Sequence, residues 1–217
     1  MSNAQPSSAD ISAADAQPVQ SAAGNIPADA ARLAGTLTLR DGTQVHARPI
    51  RASDTELLRA FHAHLSQDTV IFRFFRYMPE LSARDAEHFT HVDYRDRMAL
   101  VATLGEGDTE TILAVVRYDR IGSDLAEVAF VVADAWQGHG IASALLLQIA
   151  EYARARGIKR LVAITMATNM RMLEVLHGCG YPTTSAIREG EAEVSLDISA
   201  APAPVLTLLP FVADSTE

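Results

Sequence analysis

Residues 126–132, AEVAFVV, run through a short link into Trp136-Gln137-Gly138-His139-Gly140-Ile141-Ala142-Ser143, and this junction decides the fold. The first segment is an almost unbroken apolar run, as expected of a strand covered on both faces. The second opens a helix. Ile141, Leu145, Ile149, Tyr152 and Ala153 recur at helical spacing, and Gly157 after Arg154 and Arg156 stops it. A strand, a glycine turn and a helix N-terminus make an anion site, because the first N–H groups of a helix lack internal acceptors and the helix dipole adds positive charge. Gly138 and Gly140 let backbone approach a phosphate closely. The spacing fits neither the three-glycine dinucleotide pattern nor a Walker loop. Read alone, two glycines fit more simply a turn that only needs permissive backbone.

Outward from this junction, strands and helices alternate. Leu37 and Leu39, then Asp41-Gly42, then Val45 and Ala47 read as a β-hairpin. Ser53-Asp54 with Glu56 signals a helix start, followed by Leu57, Leu58, Phe61 and Leu65 at helical spacing. Phe72, Phe74, Phe75 and Tyr77 alternate with Arg73 and Arg76, half core and half cleft wall. Ser82 caps a short helix through Phe89. Met98–Leu104 and Ile112–Tyr118 are strands, as are Leu161–Met166 and the run through Val194, Leu196 and Ile198. Asn169 caps a short helix through Leu176. Residues 1–35, rich in Ala, Ser, Gln and Pro, read as a flexible leader with a helical turn near Ala28 to Leu33. Residues 199–217 read as a tail whose apolar run from Val205 to Val212 docks on the body or on a partner.

The 217 residues carry 18 basic and 27 acidic side chains, a net charge of -9. No basic face is available to displace counterions from nucleic acid, and an acidic surface suits a cationic substrate such as an amine. No apolar run reaches a membrane span. Cys179, the only cysteine, rules out an intrachain disulfide and suits a reducing, cytoplasmic setting. It reads as a packed thiol, since no base partner is indicated. His62/His64 and His88/His91 lack the carboxylate company of a metal site.

The segment Gln137-Gly138-His139-Gly140-Ile141-Ala142 resembles the acyl-CoA motif of GCN5-related N-acetyltransferases, Gln/Arg-x-x-Gly-x-Gly/Ala. The resemblance extends over about residues 45–198. Leu39–Thr43 (LRDGT), Arg48–Arg51 (RPIR), Arg73–Phe75 (RFF), Asp93-Tyr94 leading to Met98–Ala102 (MALVA), and residues 126–132 are similar to the catalytic domain of bacterial Pat-type protein lysine acetyltransferases. It implies an α/β (α+β) fold, a mixed, mostly antiparallel splayed sheet flanked by helices, occupying residues 36–198. It also implies acetyl-CoA as co-substrate. Backbone amides of Gly138, His139, Gly140, Ile141, Ala142 and Ser143 would hold the pyrophosphate, Phe130, Val131 and Val132 would pair with the pantetheine, and Gln137 and Asn169 would complete the cofactor site. Many family members carry a tyrosine acid seven residues after the asparagine; here that position is Leu176.

The acceptor amine needs a base. A lysine ammonium is neutral in only about one part in 2,500 at pH 7, so freeing its lone pair costs roughly 4.6 kcal/mol. A carboxylate within hydrogen-bond reach, directly or through one water, takes that proton. Glu127 is the one acid within the apolar strand, where partial burial would tune it for this work. On the residues alone it reads more readily as an edge charge or as a partner of Arg117; the resemblance makes it the general base. The implied reaction is direct attack of an amine on the thioester, with a protein lysine as the favoured acceptor. The rivals are a small-molecule amine acceptor and a non-catalytic acyl-CoA sensor.

Overall fold

A computed structural model describes residues 26–39, 41–204 and 211–213. In chain order the strands are β1 (Gly35–Thr38), β2 (Gln44–Pro49), β3 (Arg97–Leu104), β4 (Thr111–Arg120), β5 (Leu125–Val132), β6 (Arg160–Met166), β7 (Thr183–Arg188), β8 (Glu191–Asp197) and β9 (Phe211–Ala213). The helices are α1 (Ala28–Ala31), α2 (Thr55–Ala63), α3 (Gln67–Phe74), α4 (Ala83–Thr90), α5 (Ile141–Ala155) and α6 (Met170–His177). Among the described residues the strands form one sheet in the order β7-β8-β6-β5-β4-β3-β2-β1-β9. Every neighbouring pair is antiparallel except β5 and β6.

The central strands are apolar on both faces because helices cover both. Met98, Leu100 and Ala102 of β3, Val116 and Tyr118 of β4, and Ala126, Val128 and Phe130 of β5 pack with Leu145, Leu146 and Ile149 of α5. On the other face Ala99 and Val101 of β3 and Val115 of β4 meet Leu58 and Phe61 of α2, with Val70 of α3 and Ala86 of α4. At 25 cal/mol per Å² of apolar area, each fully buried Leu or Ile contributes about 2 kcal/mol. A bulge between Ala102 and Thr103 shifts the β3–β4 register, so that both Leu113 and Ala114 join the α5-side core.

Several expectations need correction. The Phe/Arg run is helix α3 up to Phe74, started by Ser66, whose side chain accepts from the Thr69 N–H, and ended by Phe75 at φ 56. Side chains at 72, 73, 74 and 75 thus point around a helix end, with Phe74 against the core and Phe72, Arg73 and Phe75 on the cavity wall. Asp54 does not cap α2 with its side chain. Its carboxylate instead takes a bidentate pair from buried Arg48, at 2.7 and 2.9 Å, and the Arg51 N–H at 2.8 Å. The flexible leader, read as ending at residue 35, gives way earlier: Ala30 of α1 is fully buried, Ile26 and Leu33 pack beside it, and Asp29 pairs with Arg156. In the tail, the backbone of β9 pairs with β1. Residues 1–25 and 205–210, where the remaining leader and much of the tail's apolar run fall, lie outside the described residues.

Candidate active site

Strands β5 and β6 run parallel but pair only from Leu125 and Arg160 to Glu127 and Val162. Beyond that row they part. On its other edge β5 stays paired to β4 as far as Val132 opposite Ala114. One edge of β5 from Val128 to Val132 is therefore left without a strand, its N–H and C=O groups open to an extended ligand except for the Val132 carbonyl, which Gln137 takes at 3.3 Å. The gap widens into a cavity of about 850 Å³.

Helix α5 starts at the wide end of the gap. Gly138 and Gly140 have φ of 83° and 88°, the left-handed region that favours glycine, and Gly140 is the N-cap with no side-chain cap. Among the described residues, the N–H groups of residues 138–143 have no acceptor; the first helical bond of this turn runs from the Ala144 N–H to the Gly140 carbonyl at 3.1 Å. These amides, at the positive end of a 15-residue helix, border the cavity through Gly138, Gly140, Ile141, Ala142 and Ser143.

Two polar clamps hold this geometry, and neither was read from the sequence. Asp134, in the β5–α5 link, accepts from the Ser66 N–H at 2.8 Å, the Ser66 hydroxyl at 2.6 Å and the Thr69 hydroxyl at 2.7 Å. Burial works against its charge, but these bonds win and hold the carboxyl below its ordinary value. Gln137 donates to the Thr69 hydroxyl at 3.1 Å and the Val132 carbonyl at 3.3 Å, and accepts from Arg171 at 2.7 Å. Its amide is thus spent joining α3, β5 and α6. The only sequence signal for the Asp134 clamp is a Ser-x-x-Thr turn, which is common.

Phe130, Val131, Val132 and Asn169 line the cavity with the turn. The Asn169 side chain caps α6, accepting from the Met172 N–H at 3.2 Å. His139 is absent from the lining; its ring lies 5.8 Å from that of Trp136, and Nδ1 meets the Gln137 carbonyl at 3.1 Å. Glu127 lines the cavity where β5 and β6 part, and it is exposed rather than half-buried. The reason is its face: Ala126 and Val128 turn into the α5 core, and Glu127 turns the other way. Arg117 is not its partner, since Nε of Arg117 donates to Asp119 at 3.2 Å.

No tyrosine borders the cavity among the described residues. Leu176 is buried in the core. The Tyr152 hydroxyl donates to the Tyr94 carbonyl, and burial pushes its pKa up to about 12. The Cys179 thiol donates to the Leu176 carbonyl at 2.9 Å, and burial pushes it up as well, which suits packing rather than nucleophilic attack. Thr165 of β6 is 3% exposed, and its hydroxyl has no partner among the described residues.

The family model for the Acetyltransferase (GNAT) family matches residues 60–181, which include β5, the glycine turn, α5, β6 and α6. The chain belongs to the GNAT acetyltransferase family. An acetyltransferase of Pseudomonas aeruginosa is 30% identical over 145 residues, covering 66% of this chain and 78% of that one. The Acetyltransferase Pat of Mycolicibacterium smegmatis is 28% identical over 190 residues, covering 84% of this chain and 55% of that protein, so the present chain spans about half of this relative. Among solved structures, the GNAT domain of S. lividans PAT superposes with a TM-score of 0.72 at 40% identity, covering 80% of this chain and 99% of that domain. A cAMP-binding acyltransferase from Mycobacterium smegmatis gives 0.54 at 27% identity, covering 79% of this chain and 48% of that one. This GNAT protein is thus an acetyl-transferring enzyme related to the Pat acetyltransferases, with the mixed, splayed sheet of its structural neighbours. Among the described residues no helix is long and apolar enough to cross a membrane.

Proposed function

We propose that this chain transfers an acetyl group from acetyl-CoA to the ε-amine of a protein lysine, with Glu127 as general base. The observation that supports it most is the pairing of an open β5 edge with unpartnered amides at residues 138–143 around one cavity. The residues present fit the co-substrate. The glycine turn offers N–H groups and a helix dipole to a pyrophosphate. The Val128–Val132 edge offers alternate donors and acceptors to an extended amide chain, as an added strand would take them. Acetyl-CoA supplies the activated acyl group as a thioester.

Glu127 stands at the narrow end of the gap, where the reacting groups meet. Its carboxylate accepts a proton from the acceptor ammonium, directly or through one water, and leaves the nitrogen lone pair for attack. A thiol with a pKa near 8.5 is a tolerable leaving group as its anion, so no tyrosine is required at Leu176. The likeness to the Pat acetyltransferases supports a protein lysine as acceptor.

The test compares wild type with Glu127→Gln. The variant should bind CoA in calorimetry as wild type does and lose about 10²–10⁴-fold in amine acetylation at pH 7. Undiminished transfer by the variant would remove Glu127 from this role. Protein substrates assayed beside polyamines and aminoglycosides separate the protein-lysine reading from a small-amine one.

A further inference from the structure

Ala129 and Val131 share the face of β5 that carries Glu127. On that face lies a second cavity, of about 30 Å³, walled by α2, α3, α4, β4 and β5. Arg73, Ala129 and Val131 line both this cavity and the larger one, so the two adjoin. About 10–15 Å³ is enough to hold one water, so the small cavity has room for a water or a monatomic ion. Its polar lining among the described residues is entirely basic: His62, Arg73 and Arg117, with no carboxylate.

Each of the three is set against an aromatic ring of the wall. The His62 ring lies 5.8 Å from that of Phe74, and the Arg73 guanidinium lies 4.9 Å over the same ring. The Arg117 guanidinium lies 4.7 Å over Phe89, whose ring is 6.3 Å from that of Phe74. His62 is 3% exposed and Arg117 6%. Among the described residues neither His62 nitrogen has a partner, and Arg73 has no ion pair and no hydrogen bond. Arg117 donates only through Nε, to Asp119 at 3.2 Å. Asp119 does not balance the set, since it also accepts from Arg97 at 3.0 Å, so that one carboxylate serves two arginines. Glu127, opposite Asp119 in the β4–β5 register, is exposed and lines only the larger cavity. Burial first, then repulsion from Arg117, pull the Arg73 pKa down to about 10, so it stays a cation at neutral pH. Two cations and an unpartnered histidine around one cavity are costly unless something that accepts hydrogen bonds occupies it, and a negative charge does so best.

We propose that this small cavity is a binding site for a monovalent anion, held by the guanidinium groups of Arg73 and Arg117 and by one N–H of His62. A neutral imidazole donates through one nitrogen, which suffices for this role. Two sources offer the chemistry. One is a free halide ion. The other is the terminal carboxylate of an acyl group longer than acetyl, reaching past Arg73 and Ala129 from the thioester. That second source alone rests on the reading of the larger cavity as the acyl-CoA site.

The experiment takes the full chain with bromide as the probe. Crystals grown in sodium bromide should show an anomalous peak between Arg73, Arg117 and His62. At constant ionic strength, bromide at ten times its dissociation constant should raise Tm by about 3–6 °C over gluconate, an anion too large for the cavity. Arg117→Met and Arg73→Gln should each abolish that difference, and either one suffices should the other fold poorly. Malonyl-CoA then separates the sources. Malonyl transfer in gluconate that bromide inhibits, and that Arg117→Met loses while keeping acetyl transfer, assigns the site to the acyl carboxylate. A bromide peak without malonyl transfer assigns it to the free ion. A cavity that holds no bromide in those crystals overturns the inference, as does a bromide effect on Tm that both variants keep. Loss of transfer from every donor would strike the enzyme reading and leave the bromide result standing.

Discussion

Thr165 carries a buried hydroxyl without a partner on the wall of the cavity. An unsatisfied buried group costs more than a replaced one, so Thr165→Val should leave the melting temperature of the free protein unchanged or raised. If that hydroxyl meets the co-substrate, the same change weakens CoA binding about fivefold, one ordinary hydrogen bond. Calorimetry and thermal melts of one preparation read both, and unchanged affinity would separate Thr165 from the ligand. Arg48 shows the opposite case. It is 2% exposed and bridges Asp54 and Glu110. Asp54→Ala strands much of that charge and should cost about 3 kcal/mol in urea unfolding; a loss below 1 kcal/mol would show that Glu110 alone satisfies it.

At the scale of elements, α2 and α3 meet around His62. Its ring is 3% exposed, neither nitrogen has a partner among the described residues, and it borders a small cavity of about 30 Å³ that Arg73 and Arg117 also line. Burial lowers its pKa below the ordinary 6.5. Below pH 6.5 the unfolded chain therefore takes up a proton that the folded chain refuses, and stability falls as pH drops from 6.5 toward the folded-state value. His62→Leu should flatten that slope of unfolding free energy between pH 6.5 and 5, and an unchanged slope would assign the pH dependence to other groups. Helix α3 also marks where the sequence stopped being legible. Its eight residues close on Phe72-Arg73-Phe74, an apolar–charged alternation that hides the helical period, and the Ser66 cap at its start is held further by Asp134. Strand β7 was missed because it lies at the sheet edge, exposed along almost its whole length, and shows no apolar alternation. By contrast α5, 15 residues with an apolar face and glycines at both ends, was readable.

At the scale of the molecule, the strong central strands and α5 place the site, and these were legible because two helical layers force apolar sequence onto both faces. The splay itself was not legible from periodicity. It depends on β6 pairing with β5 over three residues only and with β8 along its full length. The cavity so opened should take up CoA with a large effect on stability. At 100 times its dissociation constant CoA should add about 2.7 kcal/mol, raising Tm by about 5–10 °C for a chain of this size. Absence of any shift would argue against a preformed site. The central claim is that the turn at residues 138–143 and the Val128–Val132 edge present backbone groups that a ligand completes. Residue-resolved amide hydrogen exchange with and without CoA measures those groups themselves. Slowed exchange concentrated at residues 128–132 and 138–143 is the predicted result, and exchange there that CoA leaves unchanged, with protection elsewhere, would contradict it.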